Sequence, residues 1–351
     1  MNRIVDWLPD DTAALVYTDV NRQYLTGFRS SLGYLLISKN DSCLFVDGRY
    51  ILAAKGTVKN CRVELFHKAS DSIKGFLKAN GINTVFCEDT VTVAQLGLFR
   101  KMSDGIDVTA DCGLRRFIEQ LRMTKTQAEV DCIVKAQRIA ERAFQDVLDF
   151  IRPGVTERDI AAELEYRMKK YGSEIPSFDT IAVSGRKSAM PHGVPDDKVI
   201  ENGDFITMDF GAVYNGYHSD MTRTVAVGHA TDKMQLVYDT VLKAQTAAES
   251  VVKAGVKCSE VDKAARDVIT SAGFGDCFTH STGHAVGLEI HEQPSLSYIN
   301  SDTLKAGFVV TDEPGIYIEN EFGVRIEDML LVKEKGSQNL TKCEKSLIIL
   351  R

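Results

Sequence analysis

Two stretches of the chain share one frame: Gly203-Asp204-Phe205-Ile206-Thr207-Met208-Asp209-Phe210-Gly211 and Gly307-Phe308-Val309-Val310-Thr311-Asp312-Glu313-Pro314-Gly315. Each opens on a glycine, runs through apolar and β-branched residues to an acid, and closes on a second glycine. That pattern predicts a strand delivering a carboxylate to a turn. A further strand pattern follows each time with its own acid, Asp220 in Gly216-Tyr217-His218-Ser219-Asp220-Met221-Thr222 and Glu327 in Gly323-Val324-Arg325-Ile326-Glu327-Asp328-Met329. The chain thus offers two carboxylate pairs, Asp209 with Asp220 and Glu313 with Glu327, with His280, His284 and His291 lying between them.

The repetition extends upstream. Pro153-Gly154-Val155-Thr156 leads into a helical stretch closed by Gly172, and Ala254-Gly255-Val256-Lys257 leads into another closed by Gly273. Residues from about 150 onward are therefore expected to form two related α+β halves facing each other across a pseudo-twofold, with a site between them. A long helix is predicted from Thr126 to about Ile151, opened by a Thr126/Glu129 capping box and stopped by Arg152-Pro153-Gly154. Ahead of it, short strand patterns such as Tyr34–Ser38 and Cys43–Val46 alternate with helical stretches such as Ser72–Asn80, as in a small α/β domain without a cluster of ligands. The domains are accordingly set at residues 1–115 and 122–351.

The chain has 351 residues, 44% hydrophobic and 26% charged, which fits a soluble globular protein of two domains. Its net charge of −7 leaves no basic surplus for nucleic acid or an anionic membrane, so a small-molecule partner is expected. No run approaches the ~18 apolar residues of a membrane span, and the polar N-terminal stretch lacks a signal-peptide core, so a cytoplasmic location is expected. The eight cysteines include no Cys-x-x-Cys pair and read as reduced, mostly buried thiols. Gly273-Phe274-Gly275 reads as a helix C-cap, and neither a nucleophile elbow nor a phosphate loop is present.

Four carboxylates converging in an interior repel one another unless cations compensate them, and two divalent ions offset four charges. Oxygen ligands with one imidazole favour Mn²⁺, with Co²⁺ or Zn²⁺ as alternatives. Two such ions hold a bridging hydroxide and polarise a carbonyl, which is the chemistry of amide or ester hydrolysis.

The ordered motifs Ser188-Ala189-Met190-Pro191-His192-Gly193, Met208-Asp209-Phe210-Gly211, Thr282-Gly283-His284-Ala285-Val286-Gly287-Leu288-Glu289-Ile290-His291-Glu292, Thr311-Asp312-Glu313-Pro314-Gly315-Ile316-Tyr317 and Gly323–Asp328 resemble those of the proline-specific pita-bread metallopeptidases, Xaa-Pro dipeptidase and Xaa-Pro aminopeptidase. Arg22–Phe28 and Val46–Tyr50 are similar to that branch's creatinase-like N-terminal domain. The resemblance implies a creatinase-like α/β domain followed by a pita-bread catalytic domain. It also implies that Asp209 holds one metal, that Asp220 and Glu327 bridge, and that His284 and Glu313 hold the other. Glu313 would shuttle the proton, His192 and His291 would bind substrate and stabilise the oxyanion, Arg325 would fix a carboxylate, and Tyr317 would lie at the substrate site. The implied substrate is a proline-containing dipeptide or a peptide N-terminus, and the implied assembly a homodimer. Ala285 stands where the family commonly has glycine and is expected to narrow the pocket slightly. Dipeptidase and aminopeptidase are not separated by these residues. Creatinase-like C–N hydrolysis without metals and a catalytically silent binding module are the competing readings, and the five ligand positions speak against both.

Overall fold

The computed structural model describes all 351 residues, in two compact units, Met1–Arg122 and Met123–Arg351. The first unit is built on strands β1 (Thr12–Val16), β2 (Tyr34–Ile37), β3 (Ser42–Val46), β4 (Arg62–Leu65), β5 (Thr84–Glu88) and β6 (Asp107–Asp111), in the order β4-β3-β2-β1-β5-β6. β1 and β2 are buried along their whole length because helices cover both faces. Ala14, Val16, Leu35 and Ile37 pack on one face with Leu25, Leu114 and Ile118, and the alternate residues Ala13, Leu15 and Leu36 on the other with Ile73, Leu77 and Phe99. This is the small α/β domain read from the sequence.

The second unit opens with α1 (Gln127–Leu148). Its capping box is formed: the Thr126 amide donates to Glu129 Oε2 at 2.7 Å, and the Glu129 amide to Thr126 Oγ1 at 3.4 Å. α2 (Glu157–Lys170) follows, and both helices pack through Ile139, Phe144, Ile160 and Leu164 onto β7 (Ile181–Ser184), β8 (Phe205–Phe210) and β9 (Met221–Val227). In the second half α3 (Asp232–Val251) and α4 (Cys258–Ser271) pack likewise on a sheet containing β10 (Gly283–Ala285), β11 (Glu292–Leu296), β12 (Val309–Asp312) and β13 (Asp328–Val332).

The duplicated frame is physical. Gly203 and Gly307 both have positive φ, 92° and 90°, and each donates its amide to the distal end of the partner strand, to Val227 O and Val332 O. Upstream, Gly154 and Gly255 donate to Ile200 O and Leu304 O, and the bridges Thr156–Val199 and Lys257–Thr303 recur at equivalent places. Gly273 ends α4 at φ 88°, as a C-cap requires.

Arg223, on β9, locks the halves together behind their acids. Its guanidinium donates to Thr222 O at 2.9 Å and Glu327 O at 2.7 Å, and to the Asp328 carboxylate at 2.8 Å. Both side chains of that pair are 2% exposed or less. All eight cysteines are free. Only Cys43, Cys87, Cys258 and Cys343 are buried, and Cys112 is exposed, which corrects the reading of the thiols as mostly buried. Because removing one member of a buried pair strands the other's charge, Arg223→Met should lower unfolding free energy by about 3–5 kcal/mol in urea titrations. Lys345→Met should cost clearly less, since Lys345 holds the same carboxylate from a position 26% exposed.

Candidate metal centre

Asp209 lies on β8 opposite Thr222 of β9, and Asp220 immediately precedes β9. The turn between them closes tightly: a Cβ on Gly211 would stand 1.8 Å from Ser219 O, so only glycine fits. In the second half Glu313 immediately follows β12 and Glu327 immediately precedes β13, two strands paired Asp312 to Asp328. The halves are stitched together by threonines. Thr224 Oγ1 donates to Arg325 O at 3.0 Å, the Glu327 amide donates to Thr222 O at 3.2 Å, and Thr222 Oγ1 donates to Glu327 Oε2 at 2.8 Å.

Ligand atoms of Asp209, Asp220 and Glu327 all lie within 4.8 Å of one another. His284, on β10, joins them: its Nε2 stands 3.6 Å from Asp220 Oδ2 and 3.5 Å from Glu313 Oε1. Its Nδ1 is 3.1 Å from Ala285 O, a bond that keeps the proton on Nδ1 and leaves the Nε2 lone pair facing the carboxylates. Thr311 Oγ1 accepts the His284 amide at 3.0 Å and donates to Glu313 Oε1 at 3.3 Å. The five residues expected as ligands therefore converge.

The one fixed cation among these acids is Arg325, whose Nη2 donates to Asp209 Oδ2 at 2.6 Å. At these separations each carboxylate pair repels by roughly 3–4 kcal/mol in an effective dielectric of about 20. Burial, reinforced by neighbouring acids, holds the Asp220 and Glu327 carboxyls well above the usual carboxylate range and pushes Glu313 up to about 8. Burial also pushes His284 down to about 4, keeping it neutral and able to ligate. Asp209 Oδ1 and Glu327 Oε1 are buried with no hydrogen-bond partner, while the other oxygen of each is occupied by Arg325 or Thr222. Two orphaned oxygens of the required type in an acid cluster fit divalent cations.

The acids line a cavity of about 770 Å³, whose wall also carries His192, His280, His291, Phe178, Ile181 and Ile290. His192 and His291 are exposed toward it, and the His291 ring lies 4.4 Å from that of His284. Tyr317 is bonded to two residues of the cavity wall. Its hydroxyl accepts from Arg325 Nη1 at 2.9 Å and bonds His280 Nε2 at 2.9 Å, so it helps to orient Arg325. The Ala285 methyl packs in the core with Val310 and does not narrow the pocket. His218 faces Ser177, 2.9 Å away, outside the lining. Sequence reading assigned no role to Thr222 or Thr311, and grouped His280 with His284 and His291 without giving it a separate part. The two threonines carried a signal, each lying two positions along a strand from a site acid and hence on the same face.

Residues 131–334 match Metallopeptidase family M24, and residues 10–124 match the Creatinase/Prolidase N-terminal domain. The chain is 40% identical over 352 residues to the Xaa-Pro dipeptidase of Pyrococcus furiosus, covering 99% of both. Its fold matches the solved Xaa-Pro dipeptidase of Bacillus anthracis with a TM-score of 0.92 and 41% identity, over 96% of this chain and 95% of that one. It also matches the X-Pro aminopeptidase of Thermotoga maritima with a TM-score of 0.92 and 37% identity, over 96% and 97%. The fold and the acid cluster define a metal-dependent hydrolase, and the chain belongs to Metallopeptidase family M24.

Glu313 makes the site sensitive to pH. Its folded pKa of about 8 lies above the ordinary 4.5, so in chelated protein its contribution to stability is complete below about pH 4.5 and is lost as pH rises through about 8. A cation needs the ionised form, so apparent affinity should rise through the same window with release of protons. Calorimetric titration of Mn²⁺ at about pH 6 and 8, in buffers of different ionisation enthalpy, measures both. PH-independent affinity without proton release would exclude these acids as ligands.

Proposed function

We propose that the chain hydrolyses the Xaa-Pro bond of dipeptides or of peptide N-termini, using two divalent cations held by Asp209, Asp220, His284, Glu313 and Glu327. The observation that carries this reading is the convergence of these five residues at one wall of the cavity, with buried oxygens that no protein donor satisfies. The names of the Pyrococcus and Bacillus relatives supply the substrate class. Mn²⁺ is the favoured ion, because four carboxylates and one imidazole form a hard, oxygen-rich set. We place the protein in the cytoplasm, as a homodimer. Its eight free thiols suit a reducing compartment, while the dimer rests on the family resemblance alone.

When bound, the cations acidify water and polarise the scissile carbonyl. The protein supplies the rest. Arg325 fixes Asp209 by its Oδ2, directing Oδ1 into the site, and Thr222 does the same for Glu327. Glu313, held only by a 3.3 Å bond from Thr311, takes the proton of the attacking water on its carboxylate and passes it to the imino nitrogen of proline as the C–N bond breaks. His192 and His291 donate to the oxygen on which negative charge develops. The apolar wall of Phe178, Ile181 and Ile290 offers a surface for a pyrrolidine ring, which has no amide N–H to recognise.

Mn²⁺-loaded protein should release the free amino acid from Ala-Pro and lose that activity with chelator. Cleavage of Ala-Pro-Ala in parallel separates aminopeptidase from dipeptidase, and inertness toward both would remove the proposal. Glu313→Gln should reduce kcat to background while the far-ultraviolet circular dichroism is unchanged, and near-normal turnover would sink the assigned proton path. His192→Ala should lower kcat with both metals retained, as measured by metal analysis.

A further inference from the structure

His291 reaches the cavity at the end of a loop whose first residues are anchored, Val286 and Leu288 being buried and the Val286 amide donating to Val309 O. Residues 286–291 belong to no helix or strand, and the imidazole is exposed, with one ring neighbour, His284. An exposed ring without a packed bed takes its position from its backbone. That backbone is gathered by the next residue: Glu292 Oε1 accepts the amides of Leu288 at 3.1 Å and Glu289 at 3.4 Å. Gly287 makes room for the gathering, because a Cβ there would stand 2.5 and 2.6 Å from the two carboxylate oxygens.

The other oxygen, Oε2, accepts from Lys125 Nζ at 2.9 Å, and the paired side chains are 1% and 6% exposed. Lys125 is itself anchored. Its amide donates to Gly307 O at 2.9 Å, and it directly precedes the N-cap of α1. A continuous chain of bonds thus runs from the rigid start of α1 through Lys125 and Glu292 to the loop that ends in His291. An isolated buried charge is costly, so neither member tolerates leaving the other, and the pair adds a side-chain tie within a loop whose two ends are already paired, Ala285 to Glu292.

We infer that Lys125 and Glu292 are positioning residues that set the place of the His291 imidazole over the metal centre. This inference rests on the role given to His291 in the proposed function. Lys125 touches neither substrate nor metal and acts through Glu292 and the loop backbone. A displaced His291 weakens the hydrogen bond to the developing oxyanion, an effect on the transition state rather than on substrate binding.

The test is a double-mutant cycle on Ala-Pro, with metal content and melting temperature measured for every variant. Lys125→Met should lower kcat about ten- to hundredfold with KM within about twofold, as orienting partners commonly do. In a His291→Ala background the same substitution should cost no more than about twofold. Equal losses in both backgrounds would show general damage and overturn the inference. Because Lys125→Met leaves Glu292 buried without its cation, the paired variant K125M/E292Q removes both charges. Its melting temperature should return toward that of the unaltered protein while kcat stays about tenfold down, and full recovery of kcat would reduce the pair to charge balance and refute positioning. Independently of any activity, the Leu288 and Glu289 amides should exchange hydrogen faster in the paired variant. Unchanged protection overturns the inference, whereas failure of the unaltered protein to cleave Ala-Pro, with the exchange result as expected, would count against the proposed substrate alone.

Discussion

Carboxylates held within a few ångströms of one another in a buried cavity set the terms for the rest of the catalytic domain. Left to themselves they would separate or bind protons. Here separation is prevented, because β8 pairs with β9 over six residues and the Glu327 amide is bonded to Thr222, so backbone ladders fix the distances. The apolar layers behind the strands, Phe144 and Met208 in one half and Val241 and Leu330 in the other, supply the burial energy that lets the ladders hold. What remains adjustable is the orientation of each carboxylate, and Arg325, Thr222 and Thr311 each occupy one oxygen.

The two halves are built alike, yet their acids are held differently. Asp209 is short and gripped by a guanidinium at 2.6 Å, whereas Glu313 has one more methylene and a single 3.3 Å bond from a threonine hydroxyl. A charge-assisted bond of that length holds its carboxylate still, and a long neutral one leaves it free to turn. The duplicated frame therefore provides one fixed acid and one adjustable acid at equivalent positions, an asymmetry suited to the proposed reaction, in which Asp209 would stay put and Glu313 would carry a proton. His284 adds to the difference, since its neutral Nε2 faces Glu313 and Asp220.

Much of this was legible because it is local. The glycine frames place Asp209 and Glu313 at strand ends, the alternation of strands puts Thr222 with Asp220, and Thr126 with Glu129 marks the helix start, all within a few residues along the chain. What escaped depends on side chains distant in sequence. The bonds of the Tyr317 hydroxyl to Arg325 and His280 leave no mark in its own motif. Ala285 looked like a pocket residue because it follows His284, yet the same alternation that sends His284 into the cavity sends its methyl into the core. Lys125 and Glu292 are 167 positions apart, and nothing in either neighbourhood announces the other.

A second acidic pair lies directly behind the first and shows why cations belong in front. Asp312 and Asp328 are register partners next to Glu313 and Glu327, and both are wholly buried. Asp328 is met by Arg223 at 2.8 Å and Lys345 at 2.9 Å. Burial alone would raise its pKa, but these two cations outweigh it and hold the carboxyl below its ordinary value. Asp312 receives no such bonds, and burial beside Asp328 keeps it well above the usual range. Behind the sheet the like-charge conflict is thus resolved inside the protein, with one acid ionised against two basic side chains and the other favouring its neutral form. In front, the clustered carboxylates Asp209, Asp220, Glu313 and Glu327 have Arg325 alone among the basic side chains of the cavity wall, already committed to Asp209. The fold can neutralise buried acids with its own lysines and arginines, and does so one residue away. Their near-absence from the cavity face leaves positive charge to be supplied by ions, which keep coordination positions open to water and substrate where an ammonium or guanidinium group would fill them.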